Sequence, residues 1–186
     1  MMMIYKILNK LFTAFKDYQQ RIYTKICLSK GLKLGKNVVI RNNVSFGSEP
    51  FLIEIDEDTR IGEGTTFVTH SGFTVNLRKI TGYETVRNFG HIKVGKNCAI
   101  GNGSVILQNV EIGDNCVLGA NSVLSDSMPS NSVYGGNPAK YICEIEDYGD
   151  VLLKTTTQYP IDLEKDKKQL NHWLRKNLPK KYKTAK

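Results

Sequence analysis

The chain has 186 residues, of which 40% are hydrophobic, and it carries 26 Lys and Arg residues against 18 Asp and Glu residues. A chain of this length can bury a hydrophobic core without disulfides or a structural metal. It contains no run of about 18 apolar residues, which excludes a membrane-spanning helix. Polar residues interrupt the apolar stretch 1–15 and argue against an exported signal, so we predict a cytoplasmic protein.

The net charge of +8 is divided unevenly along the chain. Residues 1–33 carry seven basic and one acidic residue, residues 34–150 carry nine and fourteen, and residues 151–186 carry ten and three. Basic ends on an acidic body are unlike a nucleic-acid-binding face, and no aromatic and basic RNA-binding motif is present. We therefore predict no nucleic-acid partner and, from the terminal charges, at most weak peripheral membrane association.

An amphipathic helix is predicted at each end of the chain. Near the N-terminus, apolar residues recur at helical spacing, and we expect their face to cap the first coil of the repeats described below. Near the C-terminus, apolar residues between Pro160 and Pro179 predict a second helix, followed by a basic tail over 180–186. The N-terminal set is Ile4, Ile7, Leu8, Leu11, Phe12, Phe15, Ile22 and Ile26, and the C-terminal set is Leu163, Leu170, Trp173 and Leu174.

Between these helices, residues 34–124 repeat with a period of six. A large apolar residue opens each of twelve units, and glycine follows it directly in seven of them. This pattern indicates a short strand followed by a tight corner, where Gly or Asn accepts a positive φ. Three units form an 18-residue coil, and stacked coils pair as a parallel β-helix. The predicted inward columns are Leu34, Ile55, Val94 and Ile112; Ile40, Ile61, Ile100 and Leu118; and Phe46, Phe67, Ile106 and Leu124.

Two of the four cysteines are explained by this packing. Cys98 and Cys116 lie 18 residues apart in a column of small corner residues. No Cys-x-x-Cys pair is present, so we predict neither a disulfide framework nor a metal site.

Two interruptions break the repeat. The first adds three residues near Ser48–Phe51 and predicts a bulged corner. The second, residues 73–93, predicts a long ejected loop, and such loops are often functional. The predicted organisation is therefore an N-terminal capping helix region over 1–33, a β-helix over 34–145, and a C-terminal helix with its tail over 146–186.

Together, the repeats, the Thr69-His70 pair at the edge of the loop, and the segment 136–140, Gly-Asn-Pro-Ala-Lys, resemble the hexapeptide-repeat acyltransferases, most closely the sugar O-acetyltransferases. The resemblance covers about residues 34–145. It implies a mainly β fold, a left-handed parallel β-helix with terminal helices and one ejected loop; the spacing by itself does not give the hand. It also implies a homotrimer, whose active sites a neighbouring chain completes, and acetyl-CoA as the acyl donor.

The residue that matches the family's catalytic histidine is His70. A neutral imidazole can take a proton from an acceptor hydroxyl near neutral pH. Its other ring nitrogen needs an acceptor, either a backbone carbonyl or an acid such as Glu63 or Glu84. Ser71 stands where relatives often have Asp, which leaves open whether this neighbour orients the histidine.

His91 and His172 are expected to be structural. A carbonic anhydrase on the same fold needs three imidazoles on one zinc, and the spacing of the three histidines does not suggest such a site. We therefore expect no metal.

For acetyl-CoA, the resemblance implies contacts from Asn102 and Ala120, at matching corners of successive coils, and from Lys140 near the phosphates. Asp126 stands where many relatives have Lys, which leaves Lys140 with more of the phosphate contact. The predicted function is acetyl-CoA-dependent O-acetylation of a sugar hydroxyl in surface polysaccharide, lipopolysaccharide or capsule biosynthesis. N-acylation of an amino sugar and a non-catalytic assembly module are the alternatives.

Overall fold

A computed structural model describes residues 2–179, so the predicted basic tail over 180–186 lies outside the described residues. The chain divides into two compact units, Met1–Ile145 and Glu146–Lys186. The separation of the first of these into a capping region over 1–33 and a β-helix over 34–145 stays a prediction. None of the described helices combines the length and apolarity needed to cross a bilayer.

The first unit is a stack of short strands in three sheets, which the chain visits in turn. The strands pair in parallel, except that Ser132–Gly136 and Ala139–Glu144 pair antiparallel. In the uninterrupted coils, strand partners lie 18 residues apart, as in the pairing of Val117 with Ala99 and of Val123 with Val105. Across the two interruptions the offset is larger, 21 residues from Val39 to Arg60 and 39 from Ile53 to Ile92. The parallel strands predicted from the six-residue period are therefore confirmed. The first sheet contains β1 (Lys33–Leu34), β3 (Ile53–Ile55), β6 (Ile92–Val94) and β9 (Val110–Ile112); the second contains β2 (Val39–Ile40), β4 (Arg60–Ile61), β7 (Ala99–Ile100), β10 (Val117–Leu118), β12 (Ser132–Gly136) and β13 (Ala139–Glu144); the third contains β5 (Thr66–Phe67), β8 (Val105–Ile106) and β11 (Val123–Leu124).

The core is built from the predicted inward columns. The third column, from Phe46 to Leu124, is fully buried, and the Phe46 and Phe67 rings stack with centroids 5.5 Å apart. Leu34 and Ile40 depart from the prediction because they are only partly buried. They line a cleft of about 730 Å³ beside the first coil, which no further coil covers.

Helix α1 (Met2–Ser29) caps the first coil, but not through the apolar residues predicted for this role. The Gln20 side-chain amide donates to the Val44 carbonyl (3.2 Å) and accepts from the Val44 amide (3.1 Å), and the Tyr23 hydroxyl accepts from the Phe46 amide (2.9 Å). The backbone N–H and C=O groups at the edge of the first coil have no neighbouring coil to pair with, so they need polar partners. Isoleucine and leucine side chains cannot supply these hydrogen bonds. All eight residues of the predicted face are exposed instead.

The loop between β5 and β6 is closed at its base by backbone hydrogen bonds. The Gly90 amide donates to the Thr69 carbonyl (2.9 Å), and the Ser71 amide donates to the Asn88 carbonyl (3.0 Å). A short helix, α2 (Thr74–Leu77), lies within the loop. The loop ends earlier than predicted, because β6 (Ile92–Val94) already belongs to the next coil.

The C-terminal segment contains α3 (Ile145–Thr155), a 3-10 turn (Ile161–Lys165) and α4 (Lys167–Asn177). Asp166 caps α4 by accepting from the backbone amides of Lys168 (2.8 Å) and Gln169 (3.2 Å). A helix after Pro160 was predicted, but Leu163 lies in the 3-10 turn that precedes it. Helix α3 was not predicted from the sequence.

Candidate active site

His70 lies directly after the corner that follows β5, at the base of the loop. Its Nδ1 atom is 2.8 Å from Oε2 of Glu49, and its side chain is 36% exposed. The Phe89 ring, from the other end of the loop, lies 5.3 Å from the imidazole and limits its movement. Because an ionised carboxylate only accepts hydrogen bonds, this contact places a proton on Nδ1 and leaves Nε2 as the basic nitrogen.

Glu49 was missed by the sequence analysis, which considered Glu63 and Glu84 for this role. The structure rules out both: Glu63 accepts from the Asn43 side chain, and Glu84 accepts from the backbone amide of Gly82. Glu49 belongs to the first interruption, where the predicted bulged corner is a 3-10 turn (Pro50–Leu52). It comes three residues after Phe46, as His70 comes three residues after Phe67. Glu49 therefore occupies the position in its coil that His70 occupies in the next one, and this equivalence is the sequence signal that could have identified it.

The surroundings of Glu49 favour its charged form. Oε2 also accepts a hydrogen bond from the Thr69 hydroxyl at 2.7 Å. The bond from Thr69, and after it the bond and charge of His70, lower the pKa of Glu49 below its usual value, although partial burial acts in the opposite direction. Glu49 is thus a carboxylate at neutral pH that holds one tautomer of His70.

Ser71 anchors the loop rather than orienting His70. Its hydroxyl accepts from the side chains of Asn88 (3.0 Å) and Gln108 (2.8 Å), which come from the end of the loop and from the next coil. Where relatives often have Asp, this chain therefore has a loop anchor, and Glu49 contacts the histidine instead.

A cavity of about 220 Å³ opens beside His70 under the loop, and Arg78 and Arg87 line it. Arg78 Nε donates to the Thr74 carbonyl (3.3 Å), and an Arg87 guanidinium nitrogen donates to the Val86 carbonyl (2.8 Å). Neither arginine forms an ion pair with a described residue. The two arginine side chains in its lining give this cavity a positive charge.

Asn102 and Ala120 lie at equivalent corners of successive coils, in the turns that lead from the second sheet into the third. The coils are so close here that a Cβ on Gly101 would lie 2.4 Å from the Ala120 amide nitrogen. Within the described residues, the amides of Asn102 and Ala120 donate no hydrogen bond, and both residues are exposed. Lys140, on β13, lies 3.8 Å from Asp126, and both side chains are 71% exposed, so this pair binds weakly.

The structure does not bring His70 together with the predicted acetyl-CoA residues in one chain. Asn102 and Ala120 precede the strands of the third sheet, whereas His70 follows β5 of the same sheet. The two groups therefore lie at opposite edges of one face of the coil stack.

The sequence analysis also considered a metal site and the cysteines. No group of three or more His, Cys, Asp or Glu residues is placed to hold a metal ion over residues 2–179. Cys98 and Cys116 are buried free thiols, and each hydrogen-bonds to a corner carbonyl of the next coil.

Comparison with known proteins identifies the repeats. The family model described as "Bacterial transferase hexapeptide (six repeats)" matches residues 91–126. Protein CapG from Staphylococcus aureus is 48% identical over 110 residues, which make up 59% of this chain and 63% of that protein. The chain thus spans less than two-thirds of the length of this relative.

Solved structures with this fold include acetyltransferases. A hexapeptide-repeat acetyltransferase from Vibrio cholerae O1 biovar eltor, complexed with acetyl coenzyme A, is 30% identical with a TM-score of 0.53, over 62% of this chain and 61% of that one. A maltose O-acetyltransferase from Clostridium difficile is 22% identical with a TM-score of 0.52, over 65% and 73% of the two chains, and shows the fold alone. The chain therefore carries the hexapeptide repeats of bacterial transferases, and its resemblance to the hexapeptide-repeat acyltransferases is confirmed.

Proposed function

We propose that this protein is an acetyl-CoA-dependent O-acetyltransferase that acts on a sugar hydroxyl, with His70 as the general base. The observation that carries the proposal is the contact between His70 Nδ1 and Glu49 at 2.8 Å, on the edge of a cavity and with Nε2 left basic. The acetyl-CoA complex of the Vibrio cholerae protein supports the donor, and the capsule-type name of the Staphylococcus aureus relative supports a role in surface polysaccharide synthesis. The predicted cytoplasmic location is part of this proposal.

In the proposed reaction, His70 Nε2 takes the proton of the acceptor hydroxyl as its oxygen attacks the thioester carbonyl of acetyl-CoA. The carbon–sulfur bond breaks, and His70 returns the proton to the departing thiolate. The products are an acetyl ester and free coenzyme A. Glu49 stabilises the imidazolium that forms between the two steps, because its carboxylate lies against the second ring nitrogen.

We further propose a left-handed β-helix assembled as a homotrimer. The separation of His70 from Asn102 and Ala120 across the third sheet supports this assembly, because a neighbouring chain then places its corner amides opposite His70. The pantetheine arm of acetyl-CoA binds along the exposed amides of these corners, and Lys140 approaches the phosphates. In such a ring each interface contains one complete site.

The experiment is a screen of free and nucleotide-linked sugars with acetyl-CoA, read by mass spectrometry for the gain of one acetyl group. We expect a product that alkaline hydrolysis removes, as an ester requires. A product resistant to alkali on an amino sugar would replace this proposal with N-acylation. Failure to bind acetyl-CoA in a calorimeter would leave a non-catalytic assembly module.

A further inference from the structure

The N-terminal half of α1 makes no packing contact with the β-helix. All residues from 3 to 15 are exposed, and the first hydrogen bond from the helix to the coils joins Asp17 to the Asn42 side chain (2.8 Å). This half nevertheless carries a continuous apolar stripe, each residue of which is 51–62% exposed. The stripe consists of Ile4, Ile7, Leu8, Leu11, Phe12 and Phe15.

The stripe does not continue the face by which α1 holds the first coil. That contact is made by Gln20, Tyr23 and Cys27, and at 3.6 residues per turn these lie on a different side of the helix from Leu8, Leu11 and Phe15. Within the first unit, no described residue outside α1 covers the stripe. Contiguous exposed apolar patches of this kind mark interaction sites.

The charges on α1 identify the partner. The helix carries five basic residues and one acidic residue, and no acid lies among residues 2–16. Lys10 and Lys16 flank the stripe on its two sides, and the Lys16 ammonium lies 4.7 Å from the Phe12 ring. Pairing of this stripe with a second copy would bring like charges together, whereas anionic headgroups would neutralise them.

We propose that the stripe of α1 binds the surface of an anionic membrane, with its Leu, Ile and Phe side chains among the lipid chains and its lysines at the headgroups. The helix lies in the interface and does not span it. The sequence predicted at most weak association because it counted terminal charges and assigned the apolar residues to the cap. The structure leaves those residues exposed, which adds hydrophobic burial to the electrostatic attraction.

The test is flotation of the full chain with phosphatidylcholine vesicles that contain or lack phosphatidylglycerol. We expect binding to the anionic vesicles, at least about tenfold weaker binding to the neutral ones, and a similar loss in the double variant Leu11→Ser with Phe15→Ser. The matched control is Leu153→Ser with Ile161→Ser, which removes two apolar side chains of the C-terminal unit that are more exposed than Leu11 and Phe15. This control should float like the wild type.

Three results would overturn the proposal. The first is the absence of flotation with anionic vesicles. The second is equal flotation of the stripe variant and the wild type. The third is a larger assembly of the wild type than of the stripe variant in sedimentation without lipid, because a second copy then occupies the stripe. None of these results depends on acetyl transfer, so the proposed function stands or fails separately.

Discussion

At the scale of single residues, His70 and Glu49 divide the proposed chemistry between proton transfer and positioning. Replacing His70 with Ala removes the base and should lower kcat by about 10²–10⁴-fold. Acetyl-CoA affinity and Tm should change little, because the imidazole is partly exposed and outside the core. Steady-state kinetics, calorimetry and thermal melts measure these three quantities. A variant that folds, binds acetyl-CoA and retains more than about a tenth of the rate would falsify the assignment.

Glu49 should also make stability depend on pH. Its pKa is lowered in the folded protein by the bonds from Thr69 and His70, so its contribution is present above the ordinary carboxyl pKa of 4.5 and is lost as pH falls through the lowered value. Urea unfolding of the wild type and Glu49→Gln at neutral pH and near pH 3 measures this. We expect the wild type to be the more stable at neutral pH and the difference to shrink in acid. A stability difference between the wild type and Glu49→Gln that is the same near pH 3 as at neutral pH would contradict this role of Glu49.

Because Arg78 and Arg87 line the cavity, we expect the acceptor to be anionic, such as a uronic acid or a phosphate-linked sugar. Replacing Arg87 with Gln should raise the acceptor KM by about tenfold or more, while kcat changes less, because the lost contact acts in binding. Lys79→Gln is the matched control, since it removes a loop charge that does not line the cavity. Equal effects of the two variants on KM for a charged acceptor would show that only overall loop charge matters.

At the scale of elements, the third inward column carries much of the stability of the coil stack. Phe67 is fully buried and stacks on Phe46, so Phe67→Ala should lower the free energy of unfolding by about 3–5 kcal/mol. Phe73→Ala removes a ring that is 63% exposed in the loop and should change it by less than about 0.5 kcal/mol. Denaturant titration measures the free energy of unfolding of both variants. Similar losses of stability would contradict the role of the third column as a main packing element.

The elements also show what the sequence could predict. The strands, corners and inward columns were predictable from the six-residue period of apolar residues and glycines, because each unit has the same strand, the same corner and the same inward side chain. Glu49 did not follow, because the three-residue insertion obscured its equivalence to His70. The packing face of α1 was assigned wrongly because apolar spacing identifies a helix but not the surface against which it packs. Here Gln20 and Tyr23 face the first coil, because they hydrogen-bond to the backbone of Val44 and Phe46.

At the scale of the whole molecule, the trimer can be tested through the site itself. His70 and Ala120 lie at opposite edges of one face, so a shared site takes one residue from each of two chains. The His70→Ala chain lacks the base, and an Ala120→Glu chain lacks an open corner for the donor. Each variant alone should be inactive, although light scattering should still give the mass of a trimer.

Co-expression of the two variants should restore activity. In randomly mixed trimers, about a quarter of the interfaces join an intact His70 from one chain to an intact Ala120 from its neighbour. Activity of that order, measured against the wild type at equal protein concentration, is the expected result. A site contained in one chain cannot be rebuilt in this way, because every chain carries one lesion. Light scattering of a monomer with full wild-type activity, or mixed trimers without activity, would therefore exclude a site shared between chains.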